Sequence, residues 1–336
     1  MVAELVEHRV IIREMSEGNR IYSKGCFGTF DGTLTLDLIE ACYLLEKERI
    51  AVRKNGKKLN VKKMMEHALS FMPDFEIKYL VYRDLRERGY VVRAGDDFLL
   101  YSRGKKPPAK ASFTVKALSE RARFTIREID EYIANTDLRV MVGIIDEEGD
   151  VTYYLAKFFE MRGTLEERKY SGKIVLMNDR CITWDEELME QLRESHIGKD
   201  FGVYMQLSLT EASYLATMGA TIVKNKRKAS MKRFIEHARN IQPDIEDRLK
   251  AYTHLRKLKL LPKTGFKFGS HFRVYDNEPE KSHAPYLVHV VKSDYGATWA
   301  EISRAVRLAH SVKKEMVFCM IDDDKLKYIR LKRITP

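Results

Sequence analysis

Twice along the chain a polar capping residue precedes an apolar run. Asp37 and Ser208 are each followed three positions later by a glutamate, Glu40 and Glu211, the spacing of a capping box that opens a helix. The runs themselves agree: LDLIEACYLLEKE from Leu36 and LSLTEASYLATMG from Leu207 share Glu, Ala, Tyr and Leu in register. Downstream, PDFEIKYLVYRDLRERGYVVRAG from Pro73 lies without a gap over PDIEDRLKAYTHLRKLKLLPKTG from Pro243, a displacement of 243 − 73 = 170 residues. DDFLLY ending at Tyr101 then matches SHFRVY ending at Tyr275, and MVGIIDEEGDVTYY resembles FCMIDDDKLKYIRL. Similarity at a near-constant displacement over so long a span marks a tandem duplication.

Each repeat reads as two units. The first holds a few strands, the capped helix and a basic helical stretch, LNVKKMMEHALSFM or ASMKRFIEHARNI. The second opens on an amphipathic helix, Ile77 to Arg88 or Ile245 to Lys257, closed in the first repeat by Gly89. Short strands rich in Val, Tyr and Phe follow, then a helix, a strand, an acidic turn and a last strand. That order predicts an α/β (α+β) fold in which each repeat pairs an N-terminal mixed α/β domain with a second small α/β domain on a mixed sheet. The expected boundaries are 1–74, 75–158, 159–244 and 245–336, with a linker between repeats at about 158–172 and an exposed loop at 104–110.

Composition narrows the class. The 336 residues include 60 Lys and Arg against 49 acidic residues, a formal charge of +11. That excess favours a polyanionic partner. The longest apolar run, Val140 to Ile145, is far short of the roughly 20 residues of a membrane-spanning helix, and no secretory signal is visible. Four scattered cysteines form no CxxC pair, so a reduced cytoplasmic setting without a zinc ribbon is expected. Nine histidines include no HExxH, no phosphate-binding GxxxxGK[ST] occurs, and GTFDGT near Gly28 reads as a turn. No metal and no cofactor is expected.

The two copies differ where chemistry is at stake. Tyr275 ends a strand, His283 follows in a short polar loop, and Lys314 stands after the next helix. In the first copy the tyrosine persists as Tyr101, but Lys110 aligns with His283 and Leu138 with Lys314. A histidine can protonate a leaving oxygen at neutral pH. A lysine can hold the extra negative charge of a phosphoryl group in transition. A tyrosine beside a cation can take a proton from a 2′-hydroxyl. Together they suit metal-free RNA cleavage.

These stretches, KTGFKFGSHFRVY, SHAPYLVHVV and EISRAVRLAHSVKKEMVF, resemble the archaeal tRNA-splicing (tRNA-intron) endonuclease family, densely over residues 245–336 and more weakly over the first repeat. The resemblance implies excision of introns from precursor tRNA at a bulge–helix–bulge RNA element, leaving 2′,3′-cyclic phosphate and 5′-hydroxyl ends. It implies Tyr275 as general base, His283 as general acid and Lys314 as transition-state stabiliser. It further implies that Arg307 and Arg333 clamp a bulge base, with Arg330 and Lys332 close to the latter. The tandem form resembles the family's homodimer, whose acidic loop, here Asp146, Glu147, Glu148 and Asp150, docks into a basic pocket of the opposing subunit. The runs 54–63 and 224–233 are candidates for tracking RNA phosphates. A non-catalytic tRNA-binding subunit needing a partner is the alternative reading, and a metal-dependent DNA nuclease using IDDDK a third.

Overall fold

A computed structural model describes residues 1–323 and 325–336. Two compact units emerge, residues 1–157 with 296–303 and 332–336, and residues 158–295 with 304–331.

In the first unit, a six-stranded sheet runs in the order Thr29–Asp31, Thr33–Asp37, Arg9–Ile12, Val2–Val6, Ala51–Lys54, Lys57–Lys58. Its one parallel pair, Val2–Val6 with Ala51–Lys54, lies inside, and antiparallel pairs extend it on both sides. A second sheet places Arg139–Ile145 parallel to Phe113–Ser119 and antiparallel to Val151–Phe158. The parallel pair is joined through the helix Ile126–Ala134, as a parallel connection requires. Both sheets share one apolar core with the helices Leu38–Glu46 and Phe75–Glu87.

The second unit repeats this plan. Its six-stranded sheet again holds one parallel pair, Lys173–Leu176 with Thr221–Lys224. Its other strands place Tyr286–Lys292 parallel to Glu315–Asp322, with Phe272–Tyr275 and Leu261–Thr264 beyond. The register fixes the correspondence of the copies. Phe113 pairs with Arg139, as Tyr286 pairs with Glu315. Three residues before the one strand stand Lys110 and His283, and one residue before the other stand Leu138 and Lys314, as the alignment expects.

Both capping boxes form, and each glutamate does a second job. Glu40 accepts from Asp37 N at 3.1 Å and from Gly28 N at 3.0 Å, while Glu211 accepts from Ser208 N at 2.9 Å and Gly198 N at 3.2 Å. Gly28, at φ +65°, has no room for a Cβ, which would stand 2.2 Å from Thr35 O. GTFDGT is therefore more than a turn: Thr29–Asp31 is a hairpin strand paired with Thr33–Asp37, and Gly28 ties it to a helix cap.

Helix Phe75–Glu87 closes in a Schellman turn, with Gly89 N donating to Arg86 O and Tyr90 N to Leu85 O. Helix Ile245–Lys257 closes identically through Lys259 and Leu260, although Lys259 must hold φ +62° where the first copy has glycine. Two helices escape the sequence reading, Met15–Gly25 and Glu186–Glu194. The first has Gly18 in its first turn and no side-chain cap. The second is capped by Asp185, an available signal. Residues 159–171 hold no regular element, yet they are not a loose tether: Met161 and Tyr170 are buried, and Gly163 N and Leu165 N donate to Leu258 O and Lys259 O.

Candidate active site

Strand alternation sets the first side chains. In Phe272–Tyr275, Phe272 and Val274 point into the core, so Arg273 and Tyr275 share the opposite face. The Arg273 guanidinium lies over the Tyr275 ring at 5.8 Å from its centroid. Sequence reasoning passed over Arg273, although its spacing of two from Tyr275 on a strand was the available signal.

Lys314 is delivered by a helix ending. Helix Trp299–Ser311 closes with Lys313 N donating to His310 O at 3.0 Å and Lys314 N to Ala309 O at 2.8 Å, Lys313 taking φ +56°. The Lys314 Nζ then donates to Ala284 O at 2.5 Å and lies 5.7 Å from the Phe268 ring centroid. Burial, and after it the Arg273 charge, pull the Lys314 ammonium below the ordinary lysine value.

His283 is exposed in the loop between Tyr275 and Tyr286, immediately before that anchor. Ala284 is buried, and Pro285 O accepts from Glu315 N at 2.9 Å, so both residues after His283 are tied to the segment that carries Lys314. The loop turns at Glu278, whose carbonyl accepts from Lys281 N and Ser282 N. Lys314 and the His283 segment thus meet, and the Arg273 guanidinium lies over the Tyr275 ring. In the first copy Tyr101 is buried and Lys110 pairs on the surface with Asp137.

Arg307 is exposed on the helix that leads to Lys314, and Arg333 is exposed at the end of the last strand, in the other compact unit. Arg330 is committed elsewhere: it pairs with Glu315 at 2.6 Å and covers the Phe159 ring at 4.6 Å. The acidic turn 146–150 is exposed. Asp146 spends its carboxylate on the turn, accepting from Glu148 N and Asp150 N, and Glu147 pairs with Arg121.

Beside the site in the second unit lies a cavity of about 830 Å³, lined by Arg180, Lys199, Arg248, Lys263, Lys267 and Arg273 against two carboxylates, Asp179 and Glu211. Lys263 reaches Gly198 O at 2.7 Å, and burial lowers its basicity first of all. Among the described residues no cluster of three or more His, Cys, Asp or Glu could hold a metal ion, and no helix is long and apolar enough to cross a membrane. Of the IDDDK run, Asp324 lies outside the described residues.

His271, on the cavity wall, stacks on His289 at 4.4 Å between centroids and accepts from Val290 N at 2.8 Å. Burial, then His289 and Arg248, pull the His271 imidazole from 6.5 down to about 4, against the opposing Asp244. The unfolded chain therefore takes up this proton first, and stability falls as pH drops from about 6.5 towards 4. Urea midpoints at pH 7.5 and pH 5 should show the fall. His271→Asn, which keeps an acceptor for Val290 N, should flatten it; equal slopes in both proteins would contradict the assignment.

Comparison with known proteins gives two family matches, each occurring twice. The catalytic C-terminal domain of tRNA intron endonuclease matches residues 75–153 and 245–328, and its N-terminal domain matches 1–65 and 172–235. The tRNA-splicing endonuclease of Methanococcoides burtonii is 37% identical, with 99% of both chains covered. Those of Methanosarcina acetivorans and Natronomonas pharaonis are 35% and 33% identical, with 94% of this chain covered in each case.

Proposed function

The chain belongs to the tRNA intron endonuclease family, and from that premise we propose that it excises introns from precursor tRNA by metal-independent attack of a 2′-hydroxyl on the adjacent phosphate. The observation that carries this reading is the meeting of Lys314 with the His283 segment in the second copy alone, with the Arg273 guanidinium over the Tyr275 ring.

Tyr275 removes the 2′-hydroxyl proton as the oxygen attacks phosphorus. Lys314 stabilises the added negative charge on the non-bridging oxygens. His283 donates a proton to the departing 5′-oxygen. The products are a 2′,3′-cyclic phosphate and a 5′-hydroxyl. Exposure of His283 suits an acid that must be reprotonated from solvent after each cut. Arg307 and Arg333 clamp an unstacked bulge base; the engagement of Arg330 with Glu315 and Phe159 supports Arg333 as the second arm. A bulge–helix–bulge RNA incubated in EDTA, with its product ends analysed, tests the reading. Binding without cutting would instead favour a subunit that needs a partner.

The domains divide at 74, 158 and 244 in this proposal. The four cysteines are buried and free, which supports a reduced, cytoplasmic setting. Two cuts require two sites, and the chain completes one, so it acts as a homodimer. The acidic turn of one chain enters the basic cavity of its partner, where the excess of Lys and Arg over carboxylates supplies the complement. The double change Glu148→Lys with Asp150→Lys should weaken dimerisation about ten- to a hundredfold by sedimentation, most strongly at low salt. An unchanged dimer would remove this turn from the interface.

A further inference from the structure

Between Leu261–Thr264 and Phe272–Tyr275 the chain makes a single 3₁₀ turn, Phe266–Phe268, held from several sides. Phe268 N donates to Gly265 O, Gly269 N to Phe266 O, and Gly265 N to His271 O. Gly265 has no room for a Cβ, which would stand 2.4 Å from Ser270 Oγ, and Gly269 takes φ +62°. One ring of this turn, Phe268, receives the Lys314 ammonium. The other, Phe266, is 87% exposed, more than any other large hydrophobic side chain among the described residues. A fully hydrated phenyl ring on a braced turn gains nothing for the fold.

The groups near that ring are cationic. Lys267 adjoins it in sequence, and Lys263 and Arg273 line the same cavity. An exposed aromatic face at a cavity whose charged lining is mostly cationic fits an unstacked nucleotide, with the ring taking the base. The acidic turn 146–150 matches the cations of that cavity but leaves the ring uncovered, because its exposed side chains are carboxylates with no apolar surface.

We propose that Phe266 is a stacking platform for a bulge nucleotide flanking the scissile phosphate, and so a substrate-positioning residue. This rests on the cleavage reading above. Stacking on one aromatic contributes enough to alter binding about five- to a hundredfold.

The test uses the full-length protein and a bulge–helix–bulge RNA carrying, one position at a time, an abasic site or 2-aminopurine. Phe266→Ala should raise the half-saturating RNA concentration within that range while slowing the saturated rate much less, and Phe266→Trp should restore it. One abasic position should weaken wild type and leave Phe266→Ala unaffected, and 2-aminopurine there should be quenched by wild type alone. Equal loss at every abasic position, or unchanged affinity, would overturn the proposal. A shift to monomer in Phe266→Ala would also overturn it, assigning the ring to a subunit contact. The quenching reports stacking in RNA that is bound but uncut, so a failure of the cleavage reading would be seen separately.

Discussion

His283→Ala should lower the single-turnover cleavage rate by about 10²- to 10⁴-fold while leaving RNA affinity and the unfolding midpoint near wild type. The separation is expected because the side chain is exposed, and the buried Ala284 after it anchors the loop. If His283 protonates the departing oxygen, an RNA with sulfur at the 5′-bridging position should restore the rate, since a thiolate leaves without a proton. Failure of that rescue would reassign the acid. Lys314→Ala should cost about 10²- to 10³-fold through lost charge and, unlike the histidine change, should also disturb the loop, because its ammonium holds Ala284 O. Tyr275→Phe removes only the hydroxyl and keeps the ring that packs on the core, so activity should fall with no loss of stability. Cutting by His283→Ala at the wild-type rate would dismiss the whole assignment.

The parts of this site differ in how far they could be read from residue order. Capping boxes are legible because the helix-start signal occupies four consecutive residues, and both formed. The equivalence of Lys110 with His283 and of Leu138 with Lys314 is legible because strand register preserves spacing across a duplication. Arg273 was hidden by attention to residue types rather than faces, since alternation on a strand puts it beside Tyr275. The engagement of Arg330 with Glu315 and Phe159 was not legible, because those partners are distant in sequence. The helix turn at Lys259 is a similar case. Its glycine signal exists only in the first copy, and the second keeps the geometry with a lysine at positive φ.

Arg256→Ala should destabilise the second unit by about 3–5 kcal/mol. The guanidinium is fully buried, donating to Leu260 O and Glu166 O at 3.2 Å each, and its Nε has no hydrogen-bond partner among the described residues. It lies in the last turn of helix Ile245–Lys257, where the helix dipole is negative and favours a cation. Removing it leaves two carbonyls without their donors, opens a cavity in the buried core, and unties Glu166, and with it the segment 159–171, from the helix. Arg256→Met keeps most of the volume and drops the buried charge, so it should cost clearly less than alanine. Urea unfolding would measure both, and amide exchange at residues 159–171 would rise in each variant through loss of the Glu166 tie. The first copy carries the same device, with Arg86 donating to Gly25 O at 2.9 Å and lying 3.8 Å from the Phe27 ring centroid. Both copies thus hold a buried arginine while only one holds Tyr, His and Lys together, so the arginine goes with the fold and not with the proposed site. A cost below about 1 kcal/mol for Arg256→Ala would instead mean that the packed tyrosines hold the helix end unaided.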